Sequence, residues 1–565
     1  MPSPALRIAI VSPLIVLFVY VAGVTPDVPL LDDWAFADFA HRVATGEATL
    51  RDWLAPHNGS HVVVLPRVVM TAIMMATGGS GRVQLLVSAA LVAWTVWVIV
   101  RIGIGSPAAA RPALHWAWIA TALLLCSPAS YRAFIWPVAF CHFTVNACVV
   151  TAAWLLARPG EERAGRGFAW AALACVAASL TRAEGLAAWV VLLPSVWLLS
   201  AERAKRIRFV GIWLTAMAAC IALVAYSLMA LAPDDSAPLP KALLAQPVET
   251  LGNALGLIGM PFGIALDPLI GTALPSPRRY FWLGLPVVAA FLYWGLRGLR
   301  SPDVAVRRTT GTWLSIGTFG GLFVAATATA RVGVLESAFL GEIWPSNYAV
   351  TAALVGVAAL QLAGSNAATR ADTPPRSLGA RHVAATLTIA LLLGGFVTRG
   401  PDALHQRARS RWSGLCWELF EHLAPFNACF VRQPKREKVR IWEDLGFRKI
   451  RSDVRALPEP NARAGAVEGV IGPGRDPNQR EVEGWVHPEP GEAPPIVFLE
   501  IERFPGLFAP ARVSAPDGER AQWRADVLVL EGDTRVKAWV YRREKGVLVR
   551  LAGELRVPFE AANAP

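Results

Sequence analysis

Charge is scarce in this sequence. Only 17% of the 565 residues are Asp, Glu, Lys or Arg and 54% are hydrophobic, whereas an average soluble chain carries about 25% charged residues. That shortage excludes an ordinary soluble chain and points to an integral membrane protein. Cysteine is also sparse: there are seven, and none falls at a metal-ligand spacing such as C-x-x-C. A single basic stripe is missing too, although the formal net charge is +12. The basic residues lie in short clusters between apolar segments and in the last third, which argues against a nucleic-acid partner. No A-x-A-like cleavage site follows Val24, so the first apolar run reads as a retained anchor and not as a signal peptide.

What the sequence has in abundance is long apolar runs. A membrane-spanning helix needs about 20 apolar residues, fewer where the bilayer is thin. On that rule the spans fall near 7–24, 82–104, 113–126, 138–157, 167–181, 186–200, 209–232, 281–297, 311–330, 347–364 and 382–398, about eleven transmembrane helices. Lys and Arg favour cytoplasmic loops. Arg101 and Arg111, Arg158 to Arg166, Arg203 to Arg208, Arg300 to Arg308, and Arg370 to Arg381 all occupy alternate loops. This parity places the N-terminus inside, and loops 25–81 and 233–280 and the C-terminal tail outside. Val62 to Thr77, with Pro66 and Arg67, and Leu251 to Ile270, with Pro261, Gly263, Asp267 and Pro268, would spoil the alternation as crossings. They are expected to be re-entrant or interfacial.

The first outer loop concentrates the chemistry-bearing side chains. It opens on "LLDDWAFADFAHRVA", where Phe36, Phe39, Ala40 and Val43 recur at i, i+3, i+4 and i+7. The spacing predicts an amphipathic helix over 33–44 on the membrane surface, with Asp32 and Asp33 at its N-terminal edge. An acid there is a good helix cap. The same loop also carries Trp34, Trp53, His57, His61 and Arg67. A carboxylate can take a proton from an attacking hydroxyl, while Arg and His can hold a phosphate leaving group. That combination suits a transferase.

Further candidates are ranked behind this loop. Arg132 and His142 flank an apolar stretch, and Arg182 and Glu184 sit in the tight "SLTRAEGLAAW" connection. Ionisable residues at bilayer depth are functional candidates, but a local ion pair explains Arg182 and Glu184 equally well, and a packed, hydrogen-bonded histidine is the more common reading of His142. Asp234 and Asp235, near Lys241, are possible further cation ligands, although "PDDSAP" is also a simple solvated turn. The "NGS" at Asn58 to Ser60 reads as a turn. The 22 Trp are accounted for by interfacial aromatic belts.

The tail has two parts. Residues 399–464 read as an outer helical linker, with a surface helix over 403–424 carrying Trp412, Cys416, Leu419 and Phe420 at helical spacing. Cys416 and Cys429 are the cysteines of the outer part, and an oxidising periplasm would permit a disulfide between them. Residues 465–560 show short β-branched runs divided by Pro, Gly and Asp, which predicts an antiparallel β-sandwich. Trp485, Trp523 and Trp539 lie in or beside those runs. They are read as core residues, with sugar stacking as the alternative.

The arrangement of the first loop resembles that of bacterial glycosyltransferases of the GT-C superfamily. The matching residues are Asp32, Asp33 and Trp34, then Trp53, His57 and Asn58, then His61, Pro66 and Arg67, behind an initial transmembrane helix. A weaker match follows at "ARVGVLESAFLGEIWPSNYAV", where related membrane proteins show Ser-Arg-Tyr and this chain has Ser346, Asn347 and Tyr348, with Arg331 upstream. The resemblance implies an all-α polytopic domain over 1–398 that transfers a sugar from a polyprenyl-phosphate-linked donor to a glycan, lipid or protein acceptor. Asp32 or Asp33 would be the general base or a ligand for a divalent cation, Mg or Mn. Trp34, His57, His61, Arg67, Arg182, Arg331 and Tyr348 would contact substrate. A transporter or flippase, or a non-catalytic envelope-polymer assembly protein, would share much of this architecture without depending on the aspartates. Against transport, no internal repeat is seen and the acids cluster in a loop.

Overall fold

The computed structural model describes residues 3–24, 33–57, 61–106, 109, 112–158, 161–200, 202–231, 246–267, 277–335, 344–367, 383–399, 455–473, 479–488, 495–501, 507–515, 517–528 and 534–557. The chain divides into two units: Met1–Thr25 with Arg42–Arg407, and Pro26–His41 with Ala408–Pro565.

The helices run α1 (Pro4–Val24), α2 (Asp33–Ala44), α3 (Leu50–Leu54), α4 (Val64–Thr77), α5 (Gly81–Ile104), α6 (Pro112–Leu125), α7 (Phe140–Ala157), α8 (Glu161–Thr181), α9 (Ala187–Trp197), α10 (Arg203–Ala230), α11 (Pro247–Gly263), α12 (Phe281–Leu299), α13 (Val304–Leu335) and α14 (Trp344–Ala367), followed by α15 (Val383–Arg399). Among the described residues, nine helical segments are long and apolar enough to cross a membrane. The chain is a multi-pass membrane protein.

Among the described residues, each expected span contains an apolar helix, though the count of eleven crossings is not reached by the long ones. Those near 113–126, 186–200 and 382–398 form shorter apolar helices, and Pro247–Leu266 joins the long ones. That stretch, with its Pro and Gly, is expected above to be re-entrant or interfacial. In fact Pro261 and Gly263 fall in the last turn of α11, where the helix passes into a 3-10 turn at Ile264–Leu266, so they end the helix and do not interrupt it. Helix α4, the other expected interfacial stretch, has 14 residues. It ends at Gly78 in the left-handed conformation (φ 59°), which glycine adopts without a Cβ penalty. Ser80 then caps α5 by accepting from Val83 N–H.

Packing in the helical unit relies on small residues, as expected where lipid is as apolar as Leu. On α11 and α12, a Cβ at Gly256, Gly259 or Gly284 would collide with the backbone oxygens of Pro277, Tyr280 and Leu255 respectively. The most buried candidate spans contain α14 and α7. They are tied together where Asn146 Nδ2 donates to Val350 O at 3.3 Å. Gln361 of α14 donates to Ala117 O and Thr121 Oγ1 of α6 at 3.2 and 2.9 Å. The tryptophans are not all interfacial: Trp118, Trp189, Trp213 and Trp313 are fully buried. Two of their indoles find partners inside the unit, Trp213 Nε1 on Trp189 O at 2.8 Å and Trp189 Nε1 on Ser179 Oγ at 3.0 Å.

The tail is β-rich: β1 (Arg455–Pro473), β2 (Gln479–Val486), β3 (Ile496–Ile501), β4 (Leu507–Pro510), β5 (Arg512–Val513), β6 (Ala521–Leu528), β7 (Thr534–Arg542), β8 (Val547–Ala552) and β9 (Leu555–Val557). It starts ahead of the expected boundary at 465. The expectation of an antiparallel β-sandwich needs correction in its pairing. The strands form one sheet in the order β4-β3-β7-β8-β1-β2-β6-β5, with β9 on β7. The sheet curls, so that β3 and β4 near one end pack against β6 near the other. The β1–β8 pair is parallel, a direction open to strands joined by a long connection and not by a hairpin. Inward residues alternate along the strands, as Val482, Gly484 and Val486 do on β2 and Val536, Ala538 and Val540 on β7.

Candidate functional site

The first loop folds largely as its pattern suggests. Helix α2 begins at Asp33, which is 1% exposed, and Phe36, Ala37, Phe39 and Ala40 are buried along it. Asp33 belongs to the second unit and the candidates from His57 onward to the first. Asp32 and Asn58 to Ser60 lie outside the described residues.

Helix α3 starts where Asp52 reaches back to Thr49, accepting from its hydroxyl at 2.6 Å and its N–H at 2.8 Å. Arg42 donates to the same Asp52 oxygen at 2.7 Å. Together these donors hold the Asp52 carboxyl at about 2, below its ordinary 3.8, with the Thr49 hydroxyl the largest cause. Ser227 of α10 donates to Leu54 O at 2.6 Å and fastens the loop to the bundle. His57 and His61 pair through their backbones, N–H to O at 2.7 and 3.0 Å, and the His57 side chain is buried. Arg67, expected as a phosphate clamp, is buried in α4 and donates to the carbonyls of Trp53 and Ala55. Those bonds satisfy carbonyls left open at the end of α3.

A charged cluster forms at one end of the helical unit. In the α8–α9 connection Arg182 grips Glu184 with both donors, Nε to Oε2 at 3.2 Å and Nη2 to Oε1 at 2.6 Å. The turn can close because Gly185 presses against Ala178 O, where a Cβ would collide. Burial alone would raise the Glu184 carboxyl, but the Arg182 guanidinium more than reverses this and holds it below the usual carboxylate range. The pair is therefore ionised. Around it stand His61, His142 of α7 and Tyr348 of α14, each within electrostatic reach of a member of the pair. His142 packs edge-on between Phe323 and Tyr348, with ring centroids 5.6 and 5.7 Å away.

The packed-histidine reading of His142 omits its polar edge. His142 Nδ1 is buried without a hydrogen-bond partner, and so are Asn146 Oδ1 on the same helix and Asn347 Oδ1 and Thr351 Oγ1 on α14. Two turns of each central helix thus carry unused hydrogen-bonding capacity, an arrangement suited to a hydroxyl-rich ligand. Asn347, at the position where the resemblance expects Arg, is 2% exposed.

No protein-family model matches the chain, and no curated protein matches it. Among solved structures the chain is similar to the cryo-EM structure of arabinosyltransferase EmbB from Mycobacterium smegmatis, with a TM-score of 0.35 and 15% identity. That neighbour is, by its name, a sugar transferase. The match covers 99% of this chain and 61% of that one, so the chain spans about three fifths of its length.

The remaining candidates divide clearly. The side chains of Trp34 and Arg331, and all of Asp234, Asp235, Lys241, Cys416, Cys429 and the expected 403–424 helix, lie outside the described residues. Arg132 donates to its neighbour Tyr131 at 2.9 Å. Of the three tail tryptophans only Trp523 is core, at 0% exposed. Trp485 and Trp539 occupy outward strand positions, and both are half-buried. Arg520 lies over the Trp485 ring at 4.4 Å, and Trp539 Nε1 donates to Glu500 at 2.9 Å. Sequence reasoning missed one group altogether. Asp267, Arg279, Tyr280 and Arg399 gather from segments far apart in the chain, and only Asp267, as a polar break in an apolar run, gave any signal.

Proposed function

We propose that this multi-pass membrane protein is a GT-C-type glycosyltransferase, moving a sugar from a polyprenyl-phosphate-linked donor to a glycan, lipid or protein acceptor of the cell envelope on the outer face. The observation that carries this reading is Asp33, an acid at the first residue of α2 that is 1% exposed. A carboxylate serving only as a cap functions as well in water. One kept from bulk water is suited to take a proton from a substrate hydroxyl.

The step is a displacement. The acceptor oxygen bonds to the anomeric carbon, the bond from that carbon to the phosphate oxygen breaks, and polyprenyl phosphate leaves with the bonding pair. The acceptor proton passes to the carboxylate, and in-line attack inverts the anomeric centre. Support also comes from the helical unit taken by itself, where unpartnered His142 and Asn347 atoms can bind sugar hydroxyls. The described residues do not assemble a divalent-cation site, since their His, Cys, Asp and Glu form no group of three.

The test is to replace Asp32 and Asp33 separately with Asn, verify equal membrane insertion, and compare envelope glycans and lipid-linked sugars with the wild type. Loss of a glycan with build-up of its polyprenyl-phosphate donor is expected for at least one variant. Unchanged glycans in both overturn the aspartate mechanism.

A further inference from the structure

The Asp267 cluster has no part in the transfer step, and among the described residues it sets one carboxylate against two guanidiniums. Asp267 Oδ1 accepts from the Tyr280 hydroxyl at 2.5 Å, and Oδ2 accepts from Arg399 Nη2 at 2.7 Å. Both oxygens are engaged in short bonds. Arg279 Nε stands 3.8 Å from Oδ1, beyond hydrogen-bond distance, and is buried without a partner. The whole residue is only 9% exposed, and its guanidinium lies 4.9 Å from the centroid of the Tyr280 ring. The second guanidinium thus has a buried Nε that the carboxylate does not reach with a hydrogen bond.

Backbone packing, not ion pairing, puts Arg279 there. It sits in the 3-10 turn Arg278–Tyr280, against which α11 closes through Gly256 and Gly259. Tyr280 beneath it is fully buried with Met260, Ile264 and Ala349. The guanidinium is therefore held in place before any ligand arrives. Its depth is marked by Trp282, which begins the apolar span of α12 beside it and is 66% exposed. Exposed Trp at the end of a span belongs at headgroup level, where phosphate is the prevailing anion. A planar fork of N–H donors matches a phosphate better than an ammonium would.

We propose that Arg279 and Arg399, braced by Asp267 and Tyr280, bind the phosphate group of a membrane lipid. The inference stands whether or not sugar transfer is the chemistry of the other site.

The test uses thermal unfolding of the full-length protein in detergent, titrated with dihexanoyl phosphatidic acid, with dihexanoylglycerol lacking the phosphate, and with inorganic phosphate. The phosphatidic acid should stabilise the wild type and the glycerol should not. Arg279→Gln should weaken that binding by about tenfold or more, the loss of one charged hydrogen-bond donor set. Arg279→Lys, which keeps the charge and loses the fork, should also bind more weakly and serves where the Gln variant fails to fold. Stabilisation by inorganic phosphate at equal affinity overturns the lipid assignment in favour of a free anion. No response to either phosphate, or an undiminished response in the folded Arg279 variants, overturns the site.

Discussion

At the scale of single residues, the first loop is built on ionised side chains whose partners are backbone as often as other charges. Asp52 shows the consequence for pH. Its carboxyl is held at about 2 in the folded protein against an ordinary 3.8. A depressed acid stabilises the fold at pH values above its unfolded pKa, and the contribution disappears as pH falls through the folded pKa. The loop should thus weaken between about pH 4 and pH 2, and Asp52→Asn should be weaker already at neutral pH and lose that pH dependence. Hydrogen exchange of the amides from Thr49 to Ala55, measured at both ends of the window, checks it. A loop equally protected at both ends would show that Asp52 does not hold it. Arg67 illustrates how far the residue type could be read. Its presence in a loop with acids and histidines suggests a phosphate clamp; the structure adds its bonds to the carbonyls of Trp53 and Ala55, backbone atoms that no side-chain pattern announces.

Helices in this protein meet through glycine, and the α11–α12 contact is the closest of these meetings. Because a Cβ at Gly284 would collide with the backbone oxygen of Leu255, Gly284→Ala should force the two helices apart and destabilise the helical unit by about 1–3 kcal/mol. Gly211→Ala, on α10 with nothing within 4 Å of the added methyl, should leave stability unchanged. Thermal unfolding of both variants in one detergent makes the comparison, and equal midpoints would refute the close-packing argument. Separating α11 and α12 should also disturb Arg279, which the same contact positions. Helix α2 was legible because its apolar spacing and its acidic start agree. The uninterrupted course of α11 was not, since Pro and Gly have opposite meanings within a helix and at its end.

On the scale of the whole molecule, the chain makes two units with different cores. In the β-rich unit Trp523 is enclosed by inward residues of several strands, among them Val482, Val497 and Val536. Trp523→Ala should cost that unit about 3–5 kcal/mol. The helical unit should remain inserted and protected. Limited proteolysis of membranes checks this: rapid loss of the tail with an intact membrane fragment is expected, and joint loss of both would contradict independent cores.

Hydrophobicity and charge placement alone determined that this is a multi-pass membrane protein with a β-rich tail and a polar first loop. A span, an amphipathic face and an alternating strand are local periodicities written in consecutive residues. Only the tertiary structure decided which polar residues meet. His142, Arg182 and Tyr348 come from three separate stretches, and Asp267 and Arg399 are joined by a bond across 132 positions. It also decided that the strands close into one curled sheet with a parallel pair, and that Trp523 faces inward while Trp485 and Trp539 do not. The physical reason is the same in each case: pairing between distant segments depends on how apolar faces stack, and that stacking leaves no periodic mark in the sequence.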